Sequence, residues 1–538
     1  MGLIAIIAWL VLLVIVGIVA FFLYTDYKHG KYFRTRNVTY IGAGFPRMFR
    51  FLTGKIALVE AEELLWADVK KAGKSFVGFS DLLSPTFYIA DLDLMKNIYV
   101  KDFDHFVNRR NFDTPGSDLL LKRMLISLEG EQWKGIRTKL SPTFTTGKIK
   151  RMFGIFDKSS QLMCEYMRKR VGSAGGEFDI CESYSKFAMD VIASSAFGVD
   201  SKSFECEPGV LSEFEQMGKR FQFNFNPLEF IKLMVMLVAP KFADMLGLQA
   251  MDMEPQNYFM RVIKDVMKQR RENGERRDDF LQLMMDVKDG LLKGEENSKE
   301  TLEVMTGTDD GSGAALHSQS EIKFDDDDIV ANSVLFLIGG FDTTQSLLIF
   351  AAYNLALEQD VQEKLLKEVK ASFDKNGGKL TYDEVLGMNY LDMVVNETLR
   401  YMPPAARLER VCTKDYKIPG TDTVIEKGTV VALPVIGIHR DERFYENPNK
   451  FDPERFTPEK KAERHPLAFA PFGHGNRNCI GMRFALVEVK SVLATLIYNF
   501  KLEPGKLTEI PVKFNNNSSL KPANGMWLKL TPRIATEE

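Results

Sequence analysis

Histidine is scarce in this chain, with six residues in 538, and no two are spaced H-x-x-x-H, so the usual pattern of a helical histidine metal site is missing. Cysteine is scarce as well. Cys164, Cys181, Cys206, Cys412 and Cys479 are scattered and odd in number. None forms a C-x-x-C pair, which excludes a zinc ribbon and fits a reducing compartment where one of the five needs a special role. No G-x-x-x-x-G-K-[ST] segment occurs, and Gly42-Ala43-Gly44 lacks the rest of a dinucleotide fingerprint, so the chain is not expected to bind NADPH itself. An excess of one charge is also lacking: the net charge is −3 and the pI about 6.2, which leaves no global basic field to attract nucleic acid. No Pro/Ser-rich linker divides the chain, so its length is compatible with one large domain.

What the chain does contain begins at its N-terminus. Leu3 to Tyr24 form an unbroken apolar run of about twenty-two residues, long enough to cross a bilayer as one helix. Roughly sixteen Leu, Ile, Phe and Val residues at about −0.3 to −0.6 kcal/mol each give an insertion energy of about −5 to −9 kcal/mol, an upper bound because residues near the ends contribute less. A cleaved signal peptide would have a shorter apolar core ending in small residues, whereas this run ends Phe21-Phe22-Leu23-Tyr24. Lys28, Lys31, Arg34 and Arg36 follow the run and no Lys or Arg precedes it, so the rest of the chain is expected on the cytosolic side. The sequons at Asn37, Asn396 and Asn517 would then be unused.

The body reads as mainly helical, with small β-sheets from pieces such as Thr429–Leu433. Gly294 to about Ser320 is rich in Gly, Ser, Thr, Asp and Glu and reads as a mobile surface loop inserted within the domain. Asp325-Asp326-Asp327-Asp328 then opens a long apolar helix, expected from Asp325 to Glu358, with its acids at the positive end of the helix dipole. Within it stands Gly339-Gly340-Phe341-Asp342-Thr343-Thr344. Each glycine costs about 1 kcal/mol against alanine in a helix interior, so the pair calls for a reason. Thr343 lies four residues after Gly339, where its hydroxyl can bond the Gly339 carbonyl and loosen the helix locally. Glu397 and Arg400 are spaced to pair on one face of a helix that Pro403-Pro404 ends.

The segment Phe472-Gly473-His474-Gly475-Asn476-Arg477-Asn478-Cys479-Ile480-Gly481 carries the most chemistry. Arg477 and the start of the helix after Gly481 both favour a thiolate at Cys479. The glycines allow tight turns and close approach to a flat ligand, and Phe472 can shield the sulfur from water. The segment matches F-x-x-G-x-R-x-C-x-G and is similar to the heme-ligand signature of the cytochrome P-450 superfamily. With Asn396–Arg400, Arg407–Arg410 and Gly481–Leu486, the chain resembles the microsomal branch that holds the vertebrate 3A subfamily and insect families 6 and 9.

That resemblance implies the cytochrome P-450 fold, mainly α with small β-sheets and preceded by one N-terminal transmembrane helix. It divides the chain into an anchor at 1–27, a linker at 28–54 and a catalytic domain at 55–538. The cofactor is expected to be heme b, with Cys479 as its metal ligand and Phe472, Arg109, Trp133, Arg137, Arg410 and Arg477 as cofactor-binding residues. Asp342 and Thr343 are implied as the proton-steering pair. Glu397, Arg400 and Arg455 form a structural charge cluster. Phe112, Leu119, Leu120, Phe336, Ile338, Ala405 and Ala406 are the candidate substrate contacts.

The implied activity is NADPH- and O2-dependent insertion of one oxygen atom into a lipophilic small molecule, a xenobiotic or a hormone or lipid, at the endoplasmic reticulum membrane. Electrons would come from NADPH–cytochrome reductase, with cytochrome b5 as a further candidate partner and no nucleic acid involved. Lys134, Arg137, Lys139, Lys148, Lys150 and Arg151 are the expected docking face. The Phe- and Met-rich stretch from Phe221 to Leu246 is a candidate for lipid contact, with a plain amphipathic hairpin as its rival. Two alternatives stand beside the monooxygenase: a heme-thiolate isomerase or dehydratase that needs no reductase, and a non-enzymatic heme carrier or sensor. Asp342-Thr343 argues against both.

Overall fold

The computed structural model describes residues 2–42, 47, 50–51, 55–81, 84–111, 119–222, 227–292, 298–306, 322–515 and 520–533. They cluster in two units, one of residues 1–110 with 406–437 and the other of 111–405 with 438–538.

In the first unit a four-stranded sheet is ordered β1-β2-β7-β4. Strands β1 (Phe76–Asp81) and β2 (Ser84–Ile89) pair antiparallel, β2 runs parallel to β7 (Val430–Leu433), and β4 (Leu408–Val411) closes the sheet antiparallel to β7. All four residues of β7 are buried, which accounts for the continuous apolar run seen in the sequence. The N-terminal helix spans Gly2–Arg34, and its end is docked on this sheet. The ring of Phe33, fully buried, lies where a Cβ on Gly78 would be only 2.3 Å away, so glycine at 78 is needed for this close approach. Gly78 N–H donates to Thr39 O, and Ile41 N–H to Gly78 O. Residues 28–41, expected as the start of a linker, are thus held by backbone pairing and an aromatic contact.

The second unit is mostly helical. It adds one sheet of order β3-β9-β8, built from Gly176–Asp179, Trp527–Pro532 and Phe500–Pro504. Its longest helix spans Asp326–Leu357, one residue inside the expected limits at either end. Asp325 caps it, accepting from the N–H groups of Asp327 and Asp328, while the Asp328 carboxylate accepts from Asp325 N–H. The aspartates also bond outward: Asp325 and Asp328 to Arg123, Asp326 to Arg271 and Lys288, and Asp327 to Lys264, at 2.8–3.1 Å. One helix end therefore ties down three other helices, Leu119–Arg123, Met253–Asn273 and Phe280–Lys288. By length and composition this helix is also apolar enough to cross a membrane. Some 61% of its most apolar window is buried, and it packs along the Cys181–Ile192, Asn389–Tyr401 and Met482–Asn499 helices. A helix that is apolar all round and surrounded by others is a core helix.

The inserted segment departs from expectation. Within it Lys299–Thr306 form a helix, with Thr301, Val304 and Met305 buried, so part of the expected surface loop is packed structure. The residues on either side, 293–297 and 307–321, lie outside the described set.

Glu397 and Arg400 are both fully buried and bidentate, at 2.7 and 2.8 Å. Arg455 approaches the same carboxylate at 3.5 Å, and Asp452 N–H donates to it at 2.7 Å. Arg400 also donates to His439 O. Burial makes this a different interaction from the exposed helical pair, worth about 0.2–0.5 kcal/mol, that the spacing alone suggests. Replacing Glu397 by Leu strands the guanidinium in the core and is expected to cost about 3–5 kcal/mol. Equilibrium unfolding in denaturant measures it, and a loss below about 1 kcal/mol would mean the cluster is not a stabilising element.

Candidate active site

Two glycines shape the Phe472–Gly481 loop. Gly473 and Gly475 have φ of +76° and +71°, a region that strains residues with a Cβ. The chain folds back so that Cys479 N–H donates to Phe472 O at 2.8 Å and Asn478 N–H to Gly475 O at 2.9 Å. Gly481, the cap of the Met482–Asn499 helix, has φ −86°, and a Cβ there would meet Phe144 only at 4.0 Å. Its conformation is open to any residue, so the turn argument holds for Gly473 and Gly475 and not for Gly481.

Asn476, Arg477 and Asn478 are buried, and Cys479 is then exposed. This reverses the usual behaviour of free cysteine, among the most buried residue types. Cys164 and Cys412 follow that habit: burial pushes their thiols up to about 12 and about 11. Burial likewise raises Cys181, with Asp179 adding to the effect. Among the five cysteines, Cys479 is the one presented outward.

The Gly130–Leu140 helix holds this loop from one side. The Arg477 guanidinium stacks on the Trp133 ring at 4.3 Å and donates to the carbonyls of Leu128 and Ile126. Arg137, itself buried, donates to the Asn478 side chain and to Val304 O. Trp133, Arg137, Arg477 and Cys479, picked from distant stretches of sequence, thus converge. The structure adds two elements that sequence reasoning missed. Ile126 is an exposed apolar side chain next to the carbonyls that hold Arg477. Glu300 and Glu303 of the inserted helix bond Arg483, at the start of the helix after Cys479, at 3.1 and 2.9 Å. The i, i+3 acid pair was the only signal in a segment of otherwise loop-like composition.

The Asp326–Leu357 helix contributes a second surface. Most of its residues are buried, yet Gly339 and Thr343, one turn apart, are exposed. A Cβ on Gly339 would meet nothing within 4 Å, whereas one on Gly340 would lie 2.6 Å from Ile192 Cδ1. One glycine faces open space and the other a tight helix contact. Thr343 Oγ1 donates to Gly339 O at 2.6 Å, as its spacing suggested, but the helix continues unbroken through this point. Asp342 accepts on one oxygen from Lys521 Nζ and from Gln222 Nε2, both at 2.7 Å. Thr344 faces the other way and donates to Glu488 at 3.3 Å, which links this helix to the one after Cys479.

Of the expected substrate contacts, Ile338 is half-buried on the same helix and Leu120 is buried, while Leu119 is 70% exposed. Phe336 turns its ring edge-on to Phe144 and lies beside Phe280, in an aromatic cluster that also includes Phe484. Ala405 is half-buried, and Phe112 lies outside the described residues. Ala406, Arg109 and Arg410 belong to the first unit. There Arg410 is buried over the Tyr99 ring. Its pKa is pushed down to about 10, chiefly by burial and also by the like charge of Arg109, with Tyr99 opposing. A neighbouring anion would relieve that.

A heme requires a thiolate or imidazole on its axis, an open apolar face and donors for two carboxylates. The exposed thiol among buried neighbours, the clear space over Gly339, and the indole and guanidinium groups of Trp133, Arg137 and Arg477 fit that group. This combination defines the class of heme-thiolate proteins.

The comparisons agree with it. A family described as "Cytochrome P450" matches residues 51–530. The chain is 34% identical to cytochrome P450 6k1 of Blattella germanica, over 88% of each chain. It is 37% identical to cytochrome P450 3A31 of Mesocricetus auratus, over 87% of this chain and 86% of the relative, and 35% identical to the probable cytochrome P450 9f2 of Drosophila melanogaster, over 86% and 88%. The chain belongs to the cytochrome P450 family. It is a heme-thiolate monooxygenase with heme b as cofactor, inserting one oxygen atom from O2 into lipophilic organic substrates. The isomerase and carrier alternatives are not favoured.

Glu488 offers a test of how the two helices meet. It is 1% exposed, and burial raises its pKa from 4.5 to about 8, with the Thr344 hydrogen bond opposing. The folded state therefore holds a proton that the unfolded chain releases above 4.5, so this group's contribution to stability is complete below pH 4.5 and is lost as pH rises through 8. Glu488→Gln keeps the Thr344 contact and removes the titration. Relative to wild type it is expected to gain on the order of a few kcal/mol by pH 8 and nothing below pH 4.5. Equal pH slopes in unfolding experiments would show that Glu488 ionises normally.

Proposed function

We propose that Cys479 would hold the heme iron through its thiolate and that the Phe472–Gly481 loop presents that thiolate. The observation carrying this is the exposure of Cys479 directly after the buried and clamped Asn476-Arg477-Asn478. When bound, the heme supplies the binding and reductive cleavage of dioxygen, to which a thiolate ligand contributes electron density. Phe472 shields the sulfur from water. Arg137 and Arg477 act twice, bonding the loop and offering their remaining donors to the propionates beside the Trp133 N–H. Arg109 and Arg410 carry the same expected role toward a carboxylate.

Thr343 holds a proton at its Oγ1 on the open face of the long helix, and Asp342 is the carboxylate through which that proton is replaced. Ile338, Leu120, Leu119, Phe336, Ala405, Ala406 and Phe112 are the proposed substrate contacts. Glu397, Arg400 and Arg455 support the fold beneath them.

The N-terminal helix is proposed as a single-pass anchor in the endoplasmic reticulum membrane, residues 1–27, with the catalytic domain on the cytosolic side. Exposed Ile231, Val238, Phe242 and Met245 in the Pro227–Val238 and Pro240–Met245 helices, and Leu246 just after them, support contact with lipid. Electrons come from NADPH–cytochrome reductase, with cytochrome b5 as a second donor. The basic docking face is smaller than the sequence suggests. Arg137 is buried, while Lys134, Lys150 and Arg151 pair with Glu131, Asp383 and Asp278. Foreign lipophilic compounds are the proposed substrates, ahead of hormones and lipids.

The carbon monoxide difference spectrum of the reduced protein should show a strongly red-shifted Soret band, lost in Cys479→Ser. A band at the position of neutral-ligand hemes in the wild type would overturn the ligand assignment. Thr343→Ala should lower product formed per NADPH consumed several-fold with the Soret band intact. Unchanged coupling would remove Thr343 from proton delivery.

A further inference from the structure

A cavity of the second unit takes no part in the chemistry described above. Its volume is about 630 Å³, within the range of small-molecule sites, and all of its lining residues belong to that unit. One wall is the last turn of the Asp326–Leu357 helix, with Tyr353 and Leu357. Because this helix is unbroken and rises about 1.5 Å per residue, Tyr353 lies about 15 Å along it from Thr343. The cavity is therefore distinct from the open face at Gly339.

Four aromatic rings line it, those of Tyr353, Tyr401, Phe451 and Phe514. Tyr401 and Phe451 meet edge-on at 6.2 Å, and the Arg440 guanidinium stands 5.2 Å from the centre of the Tyr401 ring. The walls are held by bonds of their own. Arg440 donates to Tyr401 O at 2.7 and 3.2 Å, at the end of the Asn389–Tyr401 helix. Tyr353 donates to Glu509 O at 3.2 Å, and Phe514 packs on Phe350 at 5.9 Å. Lys450 O accepts from Arg400 and Arg455, so the cavity backs onto the buried Glu397 cluster. Walls fixed in this way lower the ordering cost of binding.

The charged residues of the lining are Arg440, Lys450 and Glu358. Lys450 and Glu358 are exposed at the mouth, and among the described residues neither side chain is in an ion pair. Two cations against one acid leave an excess of positive charge beside an aromatic interior. A flat ring system bearing a carboxylate matches both, through stacking and through charge-assisted hydrogen bonds.

We propose that this cavity is a second ligand site, apart from the heme face, for small planar aromatic acids. The ring system lies among Tyr353, Tyr401, Phe451 and Phe514, with the carboxylate toward Arg440 and Lys450. Such a ligand touches the ends of the two helices that carry Thr343 and Glu397 without reaching Thr343, which makes it an effector and not a substrate.

Anthracene-2-carboxylate and the neutral anthracene-2-methanol test this in the full-length heme-loaded protein. Clotrimazole, a bulky imidazole that ligates heme iron, is first added until its Soret shift is complete, and each probe is then titrated by calorimetry. A single equivalent of the acid is expected to bind, about fivefold more tightly than the alcohol. Lys450→Glu should abolish that preference and Glu358→Gln should increase it. Leu357→Trp, which fills the cavity, should weaken both probes about tenfold or more. Lys450 and Glu358 are exposed, so their variants decide the matter even where Leu357→Trp fails to fold. Loss of acid binding once clotrimazole is in place, an alcohol that binds as tightly as the acid, or a preference unmoved by Lys450→Glu overturns the proposal. Absence of the clotrimazole Soret shift would instead count against the heme reading, so the two failures are distinguishable.

Discussion

One constraint organises the catalytic unit: a thiol must stay open to a ligand while the polar loop that carries it is buried. Burying Asn476, Arg477 and Asn478 would be costly if their donors and acceptors lacked partners. The Gly130–Leu140 helix and the carbonyls before it supply those partners, through Trp133 stacked on Arg477 and through Arg137 on Asn478. The clamp extends to the inserted helix, since Arg137 also bonds Val304 O and Arg483 bonds Glu300 and Glu303. A rigid surround of this kind holds the Cys479 sulfur in one place.

The Asp326–Leu357 helix meets a related demand. It must pack on most sides and still leave one face open. The two adjacent glycines divide the task, Gly340 allowing Ile192 to approach and Gly339 leaving space. The Thr343 hydroxyl bonds the Gly339 carbonyl without breaking the helix. The four aspartates at its start hold it against three neighbouring helices, so its position is set far from the open face. The Asp342 carboxylate, joined to Lys521 and Gln222, ties that face to two further parts of the chain.

Much of this was legible in the sequence, because the signals were local. The glycine, arginine and cysteine spacing of one loop, the aspartate cap, the Thr343–Gly339 interval and the Glu397–Arg400 interval each lie within a few residues, and local geometry follows from local spacing. What escaped notice depended on partners remote in sequence. The Lys299–Thr306 helix is polar in composition and is ordered by Arg483 and Arg137, more than one hundred positions away on either side. The docking of Phe33 depends on a glycine at 78, and the partners of Asp342 come from positions 222 and 521.

The sequence by itself determined the chemistry: a cysteine in a loop built to present it, and a threonine and an aspartate on a helix with room beside them. Only the tertiary structure decided which charges meet. It turned Arg137 from a surface cation into a buried clamp, paired three basic residues of the expected docking face with acids, and brought Lys521 and Gln222 to Asp342. The reason is physical. Covalent spacing sets which side chains share a turn, whereas burial and long-range contact set their solvation, and solvation determines what a charged group can do.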